Sequence, residues 1–136
     1  AADYARLNVK LGIAGRLLFM GAMSDVRPLL AAADAFVLPT LYDPFPNAAL
    51  EAMACGLPLV TSTTCGAAEI VREGENGFVR DALDIDGLAG CLDRLDPARA
   101  ARMGEAARDT VAPFTPEAMG REYLALYERL LAGKLG

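Results

Sequence analysis

Ala35-Phe-Val-Leu-Pro39, Leu41-Tyr-Asp-Pro-Phe-Pro-Asn-Ala-Ala-Leu-Glu-Ala-Met-Ala-Cys-Gly56 and Leu57-Pro-Leu-Val-Thr61 follow one another almost without a gap. The first piece is a short apolar run stopped by proline, which predicts a buried strand. Residues 40–47 carry Pro44 and Pro46 just after Pro39 and predict a stiff loop. Asn47 opens a helix over residues 48–55, and Gly56 closes it where a left-handed residue is favoured. Residues 57–61 read as the next buried strand, with Pro58 near its start, where a missing N–H is tolerated. A strand, a crossover helix and a second apolar strand predict a parallel sheet covered on both faces.

The flanks extend this unit. Arg16-Leu-Leu-Phe-Met-Gly21 predicts an earlier buried strand. Ser24 follows as an N-cap and Asp25 as a first-turn acid for a helix over 25–33. Gly66 to Arg72 reads as a short helix, residues 73–77 as a turn, and Phe78-Val79 as a brief strand. Helices are expected over 84–95, 97–110 and 116–133, the last with Thr115 as N-cap and Pro116 at the first helical position. Arg94, Arg99, Arg102 and Arg108 alternate with acids there and read as a solvated face. The fold class is thus α/β, a Rossmann-like parallel sheet with helices on both faces. Only four strands are counted where five or six are usual, so the sheet reads as short of its first units. The opening Ala-Ala-Asp, without Met, points the same way.

Composition narrows the chemistry. A chain of 136 residues has one domain's length, and 54% hydrophobic against 23% charged residues excludes disorder. A net charge of -5 argues against a nucleic-acid partner. The absence of histidine removes Ser-His-Asp and Cys-His mechanisms and the commonest metal ligand. Cys55, Cys65 and Cys91 form no CxxC pair and read as buried, reduced packing residues. The apolar stretches 29–41 and 48–60 are broken by Asp34 and Glu51 and are too short to span a bilayer. Lys10 reads as a solvated residue on a helical stub, and Lys134 is the only other lysine.

One segment carries chemistry. The helix after the stiff loop is apolar on every side except at Glu51, which predicts a helix buried within the domain. A carboxylate there is costly unless bonded, so Glu51 faces either a ligand or a set of backbone donors. Asp43 stands at the other end of the loop, as a ligand contact or as a turn residue of its own loop. The loop leaves the C-terminal end of a parallel strand and enters a helix N-terminus, where ligands and phosphates bind in open sheets. Two carboxylates for hydroxyls, with backbone N–H groups for phosphate, match a sugar nucleotide.

Asp43-x7-Glu51, followed by Ala-Met-Ala-x-Gly-x-Pro58, resembles the E-x7-E signature of retaining GT-B glycosyltransferases of family GT4, the group 1 transferases. Phe19-Met-Gly21, Asp25-Val26, Ala33-Asp-Ala-Phe-Val-Leu-Pro39, Gly66-Ala-Ala-Glu-Ile-Val71 and Asn76-Gly-Phe78 are similar to that family's surroundings, in the same order. The resemblance covers residues 16 to about 80. It implies that residues 1–136 are a partial nucleotide-sugar-binding domain, the C-terminal half of a GT-B fold without its first strands.

By the same resemblance, Asp43 contacts donor-sugar hydroxyls and Glu51 holds the ribose hydroxyls. Phe45, Pro46, Asn47 and Ala48 match the segment whose backbone amides face sugar and diphosphate. Gly66 and Glu69 match a loop beside the cleft, where a packing role is an equal reading. Two departures stand out: the first acid is Asp, one methylene shorter than Glu, and Pro46 replaces a frequent glycine and deletes an N–H. The implied reaction moves a sugar from a nucleotide-diphosphate sugar to an acceptor with retention. The acceptor would be a glycan or lipid, such as lipopolysaccharide or capsule, held by an N-terminal domain. The donor is a substrate, and no cofactor or metal is implied. The setting implied is cytoplasmic, at the inner face of the membrane, with peripheral association and no span. Rival classes are a GT-B-fold epimerase or phosphorylase and a non-catalytic binding module; a phosphorylase would need a pyridoxal lysine in the core, and none is visible.

Overall fold

The computed structural model describes residues 2–133, so Ala1 and Lys134 lie outside the described residues. The elements in chain order are α1 (Ala2–Lys10), α2 (Arg27–Ala31), β1 (Phe36–Leu38), α3 (Asn47–Ala54), β2 (Leu59–Ser62), a 3-10 turn (Gly66–Ile70), β3 (Gly77–Arg80), α4 (Ile85–Asp93), α5 (Pro97–Val111) and α6 (Pro116–Leu131). The strands form one parallel sheet in the order β1-β2-β3, with Phe36 opposite Leu59 and Leu59 opposite Gly77. β2 begins at Leu59 because Pro58 has no N–H, and the Pro58 carbonyl instead accepts from Phe36 N–H at 3.0 Å. Gly77 lets β3 lie close, since a Cβ there would sit 2.2 Å from the Leu59 carbonyl oxygen.

The period of two along β2 divides the core between the two faces. Leu59 packs with Ala49 and Met53 of α3 and Ala107 and Val111 of α5. Val60 packs with Phe78, with Cys91 of α4 and with Met103. Burial pushes the Cys91 thiol up from its ordinary pKa. Helix α3 ends in a Schellman motif: Leu57 N–H donates to Ala52 O at 3.1 Å and Gly56 N–H to Met53 O at 2.9 Å, with Gly56 at φ +82°. A Cβ on Gly104 would lie 2.0 Å from the Gly56 carbonyl oxygen, so α5 rests directly on this turn. Arg108 then reaches over to the Ala54 and Cys55 carbonyls at 3.4 Å each.

The turn before β3 is held by one buried side chain. Asn76 accepts from Arg72 N–H at 2.7 Å and donates to Ile70 O at 3.0 Å and Thr110 Oγ1 at 2.9 Å. Beside it, Glu73 accepts from Val79 N–H and from the Arg80 guanidinium at 2.8 Å. Burial raises the Glu73 carboxyl, but the bonds from Arg80 and Val79 N–H, with the nearby Arg80 and Arg94 charges, together outweigh it and the pKa ends below the ordinary value.

Several expectations change. The strand over 16–21 does not form: Leu17, Leu18, Phe19 and Met20 lie outside any strand and are 43–76% exposed. In a doubly wound sheet the element before the last three strands lies at the far edge and pairs with an earlier strand. β1 offers that run no place, and an apolar run without a backbone partner is not a strand. Ser24 caps no helix. Asp25 instead accepts from Arg27 N–H at 3.0 Å and pairs with its guanidinium at 2.8 Å, which delays α2 to Arg27. Helix α3 is one-sided rather than enclosed: Ala49, Ala52 and Met53 are buried, while Asn47, Ala48, Glu51 and Ala54 are exposed. Cys55, on the same open side, is exposed and not packing. Arg94 and Arg99 do not stand in solvent alone; their guanidinium carbons lie 4.5 and 5.5 Å from the Phe78 ring centroid.

Candidate functional site

The C-terminal ends of β1 and β2 are stitched together by hydroxyls. Thr61 Oγ1 donates to Leu38 O at 2.9 Å, and Thr40 N–H donates to Ser62 Oγ at 3.1 Å. Thr64 Oγ1 donates to Thr40 O at 2.7 Å. Asp43 is then clamped from both sides of its own peptide: its N–H donates to Thr64 O at 3.3 Å, and its carbonyl accepts from Gly66 N–H at 2.8 Å. Gly66 is required by this approach, because a Cβ there would lie 1.7 Å from the Pro44 carbonyl oxygen. The Asp43 carboxylate closes an Asx turn by accepting from Phe45 N–H at 3.1 Å through Oδ1. Asp43 thus fills the turn role as well as standing open at the strand end.

An open cleft of about 410 Å³ lies over these strand ends, lined by Tyr42, Asp43, Pro44, Thr63, Thr64, Cys65, Gly66, Ala68 and Glu69. Asp43, Gly66 and Glu69 therefore come together, as the sequence proposes. Phe45 does not line the cleft; its half-buried ring packs against the core beside α3 and anchors the loop. Pro46 caps α3 without a side-chain bond, and no acceptor among the described residues meets the N–H groups of Asn47 and Ala48. Those two amides, at the positive end of the helix, are free for an anion. Glu51 sits one turn further along the open face of α3, outside the cleft lining. Its exposure removes the burial cost that called for a ligand or a set of backbone donors.

Tyr42, Thr63 and Thr64 were not singled out by sequence reasoning. The Thr61-Ser-Thr-Thr64 run past β2 is the signal that could have found the threonines, since hydroxyls past a parallel strand fall at the ligand edge. Tyr42 carries no such signal; only its 79% exposure on a pinned loop marks it.

The parallel sheet with helices on both faces, opening a cleft at its C-terminal edge, matches the Rossmann-like C-terminal domains of GT-B glycosyltransferases. The family described as "Glycosyl transferases group 1" matches residues 2–95, and the chain belongs to it. It is 36% identical over 124 residues to the lipopolysaccharide core biosynthesis glycosyltransferase LpsE of Rhizobium meliloti, covering 89% of this chain and 36% of that protein. Among solved structures, sucrose-phosphate synthase from Thermosynechococcus elongatus superposes with a TM-score of 0.85 at 32% identity, over 97% of this chain and 34% of that one. Anabaena HepE, in complex with UDP and glucose, superposes at 0.68 with 28% identity, over 82% of this chain and 31% of that one. The chain spans about a third of the length of the curated relatives it matches. Among the described residues no helix is long and apolar enough to cross a membrane.

Proposed function

We propose that this chain is the donor-binding half of a retaining, GT4-type glycosyltransferase that takes its sugar from a nucleotide-diphosphate sugar. The observation that carries this reading is the clamped Asp43 at the end of β1, followed within one short loop by the free amides that open α3. Donor-sugar hydroxyls donate to Asp43. The diphosphate accepts from Asn47 and Ala48 N–H at the helix end, which stabilises the charge of the leaving nucleotide. Glu51, on the same face of α3 one turn on, receives the ribose hydroxyls. Relatives named for lipopolysaccharide core biosynthesis support a lipopolysaccharide-type acceptor, held by a domain beyond this chain. The HepE complex with UDP and glucose supports a nucleotide-sugar donor.

Titration with UDP-, GDP- and ADP-sugars tests the assignment in a protein that carries this chain together with its partner domain. Glu51→Ala should weaken nucleotide binding by about tenfold or more, the scale of one lost charge-assisted bond. Asp43→Ala should weaken it less, because its contact is with the sugar. The reverse order overturns these roles. This chain by itself should transfer no labelled sugar, and measurable turnover would show that the missing half is dispensable.

A further inference from the structure

Three arginines close around one ring at the edge of the sheet opposite the cleft. Phe78 is fully buried, and the guanidinium carbons of Arg94, Arg99 and Arg80 lie 4.5, 5.5 and 6.0 Å from its centroid. The ring stands near the start of β3, which the turn over residues 73–77 enters at the N-terminal edge of the parallel sheet. The cleft lies at the C-terminal edge, and none of these residues lines it.

Arg80 is matched, since its guanidinium pairs with Glu73 at 2.8 Å. Arg94, at the end of α4, and Arg99, in the first turn of α5, are not. Among the described residues neither guanidinium has a hydrogen-bond or ion-pair partner. The acids of the surrounding segments are committed elsewhere or out of reach. Glu73 holds Arg80 and Val79 N–H, Glu75 pairs with Arg72 at 2.8 Å, and Asp96 accepts from Arg99 N–H through Oδ1 at 2.9 Å. Asp93 lies beyond ion-pair distance of both arginines. Yet the two guanidiniums converge: a Cβ on Gly74 would stand 3.4 Å from a terminal nitrogen of Arg99 and 4.0 Å from one of Arg94. Gly74, at φ +75°, carries no side chain and leaves the space between them to a ligand.

Two like charges aimed at one point repel, and an anion between them relieves the repulsion. Charge-assisted N–H···O bonds of about 2.8 Å from both groups can meet on one small oxyanion set over Gly74. Contact with the Phe78 ring fixes both planar guanidiniums beforehand, so little side-chain freedom is lost on binding. Charge selects the anion. A carboxylate brings one negative charge to two unpaired cations, whereas a phosphomonoester carries about −1.5 to −2 at neutral pH. We infer that Arg94 and Arg99, backed by Phe78 and set over Gly74, form a second anion site. It takes the phosphate of a phosphomonoester, free or borne on a lipid headgroup. The site is independent of the donor-binding reading, because it shares no residue with the cleft or with the start of α3.

The test is a titration of the full chain with inorganic phosphate, followed by NMR at the Gly74 amide and at Nε–H of Arg94 and Arg99. These signals should move saturably, and acetate at equal ionic strength should bind at least about tenfold more weakly. Arg94→Gln and Arg99→Gln should each weaken phosphate binding by about tenfold, the scale of one lost charge-assisted bond. Gly74→Asp keeps both arginines, suits a left-handed turn better than most residues, and sets a carboxylate between them, so the phosphate response should vanish. Urea unfolding checks that each variant is folded. Co-sedimentation with phosphatidylcholine vesicles, with and without phosphatidic acid, separates the two sources. Retention on the phosphatidic acid vesicles that Arg99→Gln abolishes assigns a lipid headgroup, and phosphate binding without retention assigns a free phosphomonoester. The site is overturned by the absence of saturable shifts at the three signals, by acetate binding as tightly as phosphate, or by unchanged affinity in both glutamine variants. Phosphate shifts confined to the Asn47 and Ala48 amides would also overturn it, while leaving the donor-binding reading intact.

Discussion

Helices α5 and α6 are consecutive, nearly equal in length at 15 and 16 residues, and both alternate apolar with charged positions. Helix α6 has the larger apolar side chains, with Met119, Tyr123, Leu124, Leu126, Tyr127, Leu130 and Leu131. Yet it buries none of its residues, whereas α5 buries Ala100, Met103, Gly104, Ala107 and Val111. Small residues on α5 let its backbone settle onto the α3 turn at Gly56, and Arg108 then grips the carbonyls that end α3. Helix α6 has only its own Tyr123–Tyr127 stack, at 6.5 Å between centroids, and an apolar hollow of about 760 Å³ where its start passes Leu50 and Phe114. Apolar content alone makes a face available for burial. Close approach to a partner with a matching surface makes it core.

This contrast can be broken by substitution. Phe78→Ala should have the largest effect, about 3–5 kcal/mol of lost stability, because the ring is fully buried under Val60 and Met103 and carries the Arg94 and Arg99 guanidiniums. Urea unfolding measures it, and a loss below about 1 kcal/mol would mean that α5 does not depend on this core. Gly104→Ala should cost roughly 1–3 kcal/mol by driving a methyl into the Gly56 carbonyl, although alanine is the better helix former. A stabilised Gly104→Ala chain would remove close approach as the reason α5 is buried. Leu130→Ala, on α6, should move the unfolding midpoint by no more than about 0.5 kcal/mol equivalent. A larger loss would show that α6 is packed in solution after all.

The part of the fold legible beforehand is the part governed by short-range rules. Gly56 after an apolar helix, Thr115 before Pro116 and the apolar runs at β1 and β2 each carry their reason within a few residues. The run over 16–21 carries the same local reason as β1 and nevertheless forms no strand, because pairing needs a neighbour that sequence distance does not supply. The site divides in the same manner. Asp43 and Gly66 were legible as residues, but their mutual clamp was not, since the bond between them crosses from the loop after β1 to the turn after β2. Glu51 was read as buried from the apolar letters around it. Alanine and cysteine are as compatible with an open face as with a closed one, so those letters could not decide.

By itself the sequence determined that the chain is α/β, that its strands run parallel, and that a stiff loop carrying Asp43 leads into a helix carrying Glu51. Periodicity, proline placement and capping are local properties, and each acts over a span that the letters themselves display. Only the tertiary structure decided which apolar faces are core, that Glu51 stands in the open, and that Asp43 and Gly66 hold one another across the cleft. Those properties depend on which surfaces meet and where each N–H finds its acceptor, and both are settled by packing across distant segments of the chain.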